Sequence, residues 1–232
     1  MPPPPARTEP PRDVTTLARG LIAHLRTLHS ERDIVGMQRF GIVSSAEQLG
    51  VSVTKLREIA RPYRRHHALA VALWEVPIHE ARILATLVAD PKKITRAEAE
   101  RWVRRCDNWA QTDSLAFVLD RTAFAVDKAH AWSAKRAEFV KRTGYAMMAG
   151  MAVHRKELPD EVLLAFLPAI RRGATDERNF VKKAVNWALR QIGKRNLRLR
   201  RAAIAEAKHL LQLDSKAARW IARDALRELL AR

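Results

Sequence analysis

The 232-residue chain has one cysteine, Cys106, and few residues of the kind that form tight turns. A single cysteine excludes an internal disulfide and a zinc site built from cysteines, and it is typical of a reducing cytoplasm. The sequence has only eight glycines, no Asn-Gly or Asp-Gly pair and no sustained alternation of apolar and polar residues. Hairpins and a β-sheet are therefore not predicted.

Long apolar runs are absent as well. No segment has enough consecutive apolar residues to span a bilayer, and the N-terminus lacks the apolar stretch of a signal peptide. That terminus is rich in proline instead. We expect residues 1–12 to be a disordered tail and residues 13–232 to form a single HEAT-like repeat domain.

Acidic residues are scarce relative to basic ones. The chain has 25 Asp and Glu against 43 Lys and Arg, which gives a formal net charge of +18. One small anion does not require such an excess, so the charge favours a polyanion such as DNA, RNA or an anionic membrane surface. The alternative is a general solubilising charge, which would show no clustering at particular helix positions.

Helical periodicity is present along almost the whole chain after the proline-rich start. Apolar residues recur every three or four positions, and the connections between the periodic segments are short, so neighbouring helices are expected to pack antiparallel. The predicted helices lie near residues 14–28, 31–38, 52–62, 66–75, 78–89, 95–106, 108–121, 124–135, 137–154, 160–173, 177–194, 197–212 and 215–231.

Three similar tetrads indicate an internal repeat. They occupy residues 139–142 (FVKR), 180–183 (FVKK) and 220–223 (WIAR), spaced 41 and 40 residues apart, and residues 79–82 (HEAR) form a diverged copy. This period is typical of HEAT-type helix pairs. We therefore predict an all-α fold, a right-handed α-solenoid of HEAT-like helix pairs whose second helices line a concave basic face. Chance similarity between amphipathic helices is the alternative, and the basic residue at the fourth place favours the repeat.

Several unusual residues lie off the apolar stripes of their helices. On 177–194, Lys183, Trp187 and Arg190 form a row opposite the stripe, and on 108–121 Trp109 and Asp113 are one turn apart and off the stripe. Each tryptophan taken alone fits packing between repeats at least as well, but the basic residues beside them favour a binding face. Four tryptophans carry no comparable signal and are interpreted as packing residues: Trp74, Trp102, Trp132 and Trp220.

Aromatic and basic side chains on one concave face suit nucleic acid. Lys and Arg neutralise phosphates, and indole rings stack on bases or attract cations. A carboxylate such as Asp113 repels phosphate, so it needs another role, such as catalysis or pairing with a nearby arginine. The chain has no glycine-rich phosphate loop, metal-binding histidine pair or nucleophile motif, so neither cofactor nor metal is expected.

The same segments, taken in order, resemble the DNA alkylation repair family of HEAT-like repeat glycosylases, the AlkD-like proteins. The resemblance covers roughly residues 50–232. It depends on Leu73-Trp74 with residues 79–82, on residues 107–113, on residues 139–142, and on residues 180–183 with 186–190 (NWALR). It implies excision of N3- and N7-alkylated purines, which carry positive charge, from duplex DNA without flipping the base.

The resemblance also assigns roles. Trp109 and Trp187 would contact the deoxyribose of the lesion, Asp113 would be the catalytic carboxylate, and Arg142 would bind the DNA backbone. An anion and two π faces favour the positive charge that forms on the sugar. The other predicted DNA-binding residues are Arg82, Lys182, Lys183, Arg190 and Arg223.

Two further functions stay open at this point. The chain could be a non-catalytic HEAT-repeat binder of damaged or branched DNA, or a scaffold whose basic surface contacts an acidic protein. For the leading hypothesis we expect a monomer that binds duplex DNA, especially alkylated DNA, needs no small-molecule cofactor or membrane, and is cytoplasmic and nucleoid-associated.

Overall fold

The computed structural model describes residues 13–231, so the tail predicted over residues 1–12 lies outside the described residues. Over residues 13–231 the chain forms helices and no β-sheet, and one parallel bridge pairs Glu47 with Ile78. This confirms the all-α prediction. The helices are α1 Val14–Thr27, α2 Glu31–Arg39, α3 Val53–Ala60, α4 His67–Glu75, α5 His79–Val88, α6 Arg96–Arg104, α7 Trp109–Leu119, α8 Ala125–Ser133, α9 Glu138–His154, α10 Asp160–Leu164, α11 Leu167–Gly173, α12 Asn179–Lys194, α13 Leu197–Leu211 and α14 Lys216–Leu230.

Polar side chains begin several of these helices by accepting hydrogen bonds from free backbone N–H groups. Ser52 caps α3 and Ser215 caps α14, each through its hydroxyl. Thr95 and Glu98 form a complete capping box at α6. Such a cap contributes about 1 kcal/mol to stability, which is why these helices begin where the sequence predicts.

The segment predicted as one helix over 160–173 is two helices, α10 and α11, so that prediction is wrong. Pro168 lies in the first turn of α11. Its ring would clash with the carbonyl of Leu164 in a continuous helix, and it has no N–H to donate. The chain therefore turns at Ala165 and Phe166, and Phe166 is fully buried there.

The helices form two layers. One layer contains α5, α7, α9, α12 and α14, and each of these packs against the next along the chain. The other layer contains the first helix of each pair, α4, α6, α8, α11 and α13. Each of these packs against the helix of the first layer that follows it in the chain, so that α5, α7, α9, α12 and α14 are the second helices of the pairs. This arrangement is the predicted HEAT-like stack of helix pairs. The tetrads occupy equivalent places, and the rings of Phe139 and Phe180 are 5.9 Å apart between centroids.

The apolar core lies between the two layers. Trp74, Trp102 and Trp132 are fully buried, and Trp74 stacks on Trp102 with 4.8 Å between ring centroids. The interpretation of these three as packing residues is confirmed. Trp220 differs, because 40% of it is exposed. At Gly144 a Cβ would lie 2.4 Å from the backbone N of Ser133, so glycine is what lets α9 pack this closely on α8.

Candidate nucleic-acid interface

An open cleft of about 590 Å³ lies on the layer of second helices. Its walls come from α7, α9, α12 and α14 and from the loop that follows α2. Trp109, Asp113 and Trp187 all line it, although α7 and α12 are far apart in sequence. The stacking of successive second helices thus places the three residues predicted to be catalytic on one surface.

One face of helix α7 carries a row of three residues, two of which, Trp109 and Asp113, line the cleft. Trp109, Asp113 and Phe117 are spaced four residues apart and so share one helix face. The indole N–H of Trp109 donates to the carbonyl oxygen of Phe40 at 2.9 Å. That bond fixes the ring against the loop after α2.

The loop after α2 is a part of the cleft that the sequence did not predict. Phe40 is 75% exposed and lines the cleft mouth. Gly41 has φ of +74°, and a Cβ on it would lie 2.7 Å from the ring of Phe180. Glycine is therefore required both by the backbone conformation and by the close approach of this loop to α12.

A polar cluster positions the start of α7. The side-chain oxygen of Asn108 accepts from the backbone N–H groups of Ala110 and Gln111, both at 3.1 Å. Its amide nitrogen donates to Asp107 at 2.9 Å and lies 3.3 Å from Nδ1 of His79. Asn108 is thus the N-cap that sets where Trp109 begins the helix.

Of the two neighbours of Asn108 in this cluster, His79 is neutral and Asp107 is an anion near pH 7. Burial lowers the pKa of His79 to about 4, since the coulombic effect of Asp107 only partly opposes it. His79 is therefore neutral near pH 7, and Nδ1 can accept a hydrogen bond. Burial opposes ionisation of Asp107, but hydrogen bonds from Ser45 and Ser44 hold its pKa below the usual range.

Asp113 forms a bidentate ion pair with Arg142 of α9. Arg142 Nε and Nη2 donate to the two carboxylate oxygens at 2.9 and 2.7 Å, and Nη1 donates to the carbonyl of Phe180 at 2.5 Å. Burial raises the pKa of Asp113, whereas the guanidinium opposes that shift and favours the anion. All three guanidinium nitrogens thus donate hydrogen bonds within the protein, and Arg142 is only 6% exposed. Phosphate binding by Arg142 stays a prediction.

Trp187 is held from the opposite wall by α7. Its ring meets that of Phe117 edge to face, with 5.5 Å between centroids and an interplanar angle of 72°. Phe117 in turn meets His154 edge to face at 5.2 Å. Sequence reasoning missed Phe117, although its spacing of four residues from Asp113 is a usable signal.

The predicted DNA-binding cations fall into different environments. Lys183 and Arg223 are exposed and have no ion-pair partner within the described part of the chain. Arg190 pairs with Asp224 at 2.7 Å and with Glu228, and the ammonium of Lys182 lies 5.1 Å from the ring centroid of Trp220.

Arg82 is not brought into the cleft. It lies on α5 in a separate hollow beside Asp107. Trp220, interpreted from sequence as a packing residue, lines the cleft instead, so that interpretation is wrong. Helical spacing indicates the direction in which the Trp220 side chain points, but it does not show whether another element covers that side chain.

No group of three His, Cys, Asp or Glu side chains within residues 13–231 is arranged to hold a metal ion. None of the helices in that range has the length and apolar character needed to cross a membrane.

Comparison with known proteins places the chain in a family. An uncharacterized protein of Listeria monocytogenes is 27% identical over 149 residues, which is 62% of this chain and 65% of that protein, just under two thirds of its length. A solved structure from a family related to the HEAT-like repeat DNA glycosylases, with affinity for branched DNA structures, has a TM-score of 0.73 at 20% identity and covers 91% of this chain and 95% of its own. At that identity the likeness shows the fold. The family model for the DNA alkylation repair enzyme matches residues 21–229, and the chain therefore belongs to that family.

Proposed function

We propose that this protein is a DNA glycosylase that removes positively charged N3- and N7-alkylated purines from duplex DNA. The observation that carries the proposal is the shared cleft of Trp109, Asp113 and Trp187. A carboxylate in one cleft with two indole rings favours a cation. A carboxylate also repels phosphate, so phosphate binding alone does not account for Asp113.

The chemistry needs only what this cleft supplies. The bond between C1′ of the sugar and the purine nitrogen breaks, and its electron pair neutralises the cationic base. Positive charge then develops on the sugar, where Asp113 and the indole faces stabilise it. A water molecule adds to C1′ and loses a proton, for which the carboxylate is an acceptor. Because the alkylated base is already a good leaving group, no separate general acid is required.

The shape of the cleft favours excision without base flipping. Enzymes that flip a base hold it in a snug pocket. This cleft is open along the helix layer, with Phe40 and Trp220 at its exposed margins. A duplex lying along it would present the sugar of the lesion to Asp113 while the base stays in the stack.

Release of methylated purines from methylated duplex DNA tests this proposal. Wild-type protein should release them, and Asp113→Asn should reduce the rate about a hundredfold to a thousandfold, as expected when a preorganised electrostatic partner is lost. Duplex binding should be unchanged or slightly tighter, because a charge that repels phosphate is gone. The matched control is Asp127→Asn, an exposed carboxylate on α8.

A second function has a specific observation in its favour. Arg142 already neutralises Asp113, which would suit a protein that binds damaged or branched DNA without cutting the glycosidic bond. Binding to duplex or branched DNA with no base released by the wild type would favour this function. Failure to bind DNA in a salt-dependent manner would instead favour a protein-binding scaffold.

A further inference from the structure

Trp220 is an indole ring at the surface of a strongly basic helix. It is 40% exposed, in contrast to the fully buried Trp74, Trp102 and Trp132. It lines both the cleft and a second hollow of about 240 Å³ formed by α14 alone. Its ring therefore stands at the boundary between the proposed duplex site and the surface beyond it.

Cations surround this ring. The ammonium of Lys182 lies 5.1 Å from its centroid. The hollow on α14 is lined by four further basic residues, at positions 216, 219, 223 and 227. Its one carboxylate, Asp224, already accepts from Asn186 and Arg190 and pairs with Arg227. The surroundings thus favour an anionic ligand that also presents a flat face.

We infer that Trp220 is a stacking platform for an unpaired DNA base next to the duplex in the cleft. The inference rests on the proposed DNA-binding function. Inside a duplex, neighbouring base pairs cover both faces of every base, so away from a duplex end a protein ring finds a free face only where a base is unpaired. Stacking on an aromatic ring combined with cations along the backbone is how proteins hold single-stranded segments. We expect Lys182, beside the ring, and Arg223, exposed on the same helix as Trp220, to contact the neighbouring phosphates.

The test compares a blunt duplex with the same duplex carrying a short single-stranded overhang. Wild-type protein should bind the overhang form about tenfold more tightly, the effect of one stacked base. Trp220→Ala should remove this preference, measured as the ratio of overhang to blunt-duplex affinity within the same variant, and Trp220→Phe should keep most of it. Leu230→Ala, an exposed apolar residue of the same helix, should behave as the wild type.

A photo-cross-link gives a second readout. An overhang that carries 5-iodouracil should cross-link to Trp220, as located by mass spectrometry. Equal affinity of the wild type for both DNAs, a preference that survives in Trp220→Ala, or a cross-link at Trp109 or Trp187 would each overturn the inference while leaving duplex binding in place. Absence of binding to any duplex would overturn the proposed function and this inference with it.

Discussion

The Asp113 carboxylate contacts a guanidinium in the same cleft where it is proposed to face a cationic sugar. An arginine stays charged at neutral pH and its fork geometry matches a carboxylate, so the pair holds Asp113 both ionised and oriented. Burial alone would raise the pKa of Asp113 and favour the neutral acid. In the proposed reaction, Arg142 would act without contacting phosphate, by keeping the Asp113 anion available.

This role predicts a change in the pH profile of excision. The proposed excision reaction needs the Asp113 anion, so its rate should fall as pH falls through the raised pKa of that carboxyl. Arg142→Gln removes the cation that favours the anion, so the midpoint of the profile should move to higher pH. Arg142→Lys keeps a charge and should move it less. Base release is measured from pH 5 to 9, after subtraction of uncatalysed depurination; an unchanged midpoint in Arg142→Gln would contradict this account.

We predict that Phe117 positions Trp187 for the proposed reaction. The edge-to-face contact at 5.5 Å fixes the indole from the opposite wall, and such contacts contribute about 0.5–1.5 kcal/mol. Phe117→Leu should lower the excision rate by about three- to tenfold and leave affinity for undamaged duplex unchanged. In a double-mutant cycle, Phe117→Leu should cost nothing further once Trp187→Ala is present. Additive losses would mean that Phe117 acts elsewhere.

At the scale of elements, the positions of the helices could be predicted from local sequence signals, whereas the contacts between helices could not. Apolar periodicity and the caps at Ser52 and Thr95 place the helices to within a few residues. The break before α11 follows from Pro168, which is also a local signal. The prediction of one helix over 160–173 followed the apolar periodicity and did not take this proline into account. The row of Trp109 and Asp113 was readable from helical spacing.

Other features of the cleft could not be read from the sequence in this way. Arg142 is 29 residues from Asp113, and spacing along one helix does not show which residue of the next helix meets it. Likewise, the exposure of Trp220 depends on what α12 and the α2 loop cover. Its tetrad resembles those of Phe139 and Phe180, and no separate signal in the sequence distinguishes Trp220 from a packing residue.

The cluster at the start of α7 predicts acid sensitivity. His79 is buried with a pKa of about 4 against 6.5 when free, so the unfolded chain binds a proton between these values and the folded chain does not. The free energy of unfolding should therefore fall as pH is lowered from about 6.5 to 4, by about 3 kcal/mol in total from this group. Once protonated, Nδ1 of His79 could no longer accept a hydrogen bond from the side-chain amide of Asn108 or Gln111.

His79→Gln, which cannot titrate, isolates this contribution. Urea unfolding at pH 7, 5.5 and 4.5 should show a shallower loss of stability in the variant than in the wild type, with a difference of about 1.4 kcal/mol per pH unit. The variant is compared with itself across pH, so its lower stability at pH 7 does not affect the result. Parallel curves for the two proteins would show that His79 titrates alike in both states.

At the scale of the whole molecule, the net charge of +18 is not concentrated as free cations in the cleft. Carboxylates or aromatic rings already engage Arg142, Arg190 and Lys182. These partners hold the side chains in place but reduce the charge they offer to DNA. Lys183 and Arg223 differ, because both are exposed on the second-helix layer with no ion pair inside the described range.

This difference predicts an order among the cations in the salt dependence of duplex binding. Each phosphate neutralised releases condensed counterions, so the slope of log affinity against log salt counts the contacts. Lys183→Ala and Arg223→Ala should each reduce that slope by about one unit, and alike for all duplex sequences. Arg190→Ala should reduce it by less, because Asp224 and Glu228 already neutralise it. Arg201→Ala, an exposed arginine of α13 in the other layer, should leave the slope unchanged. Equal slopes for Arg201→Ala and Lys183→Ala would mean that DNA does not bind along the layer of second helices. The cleft would then not be the nucleic-acid interface.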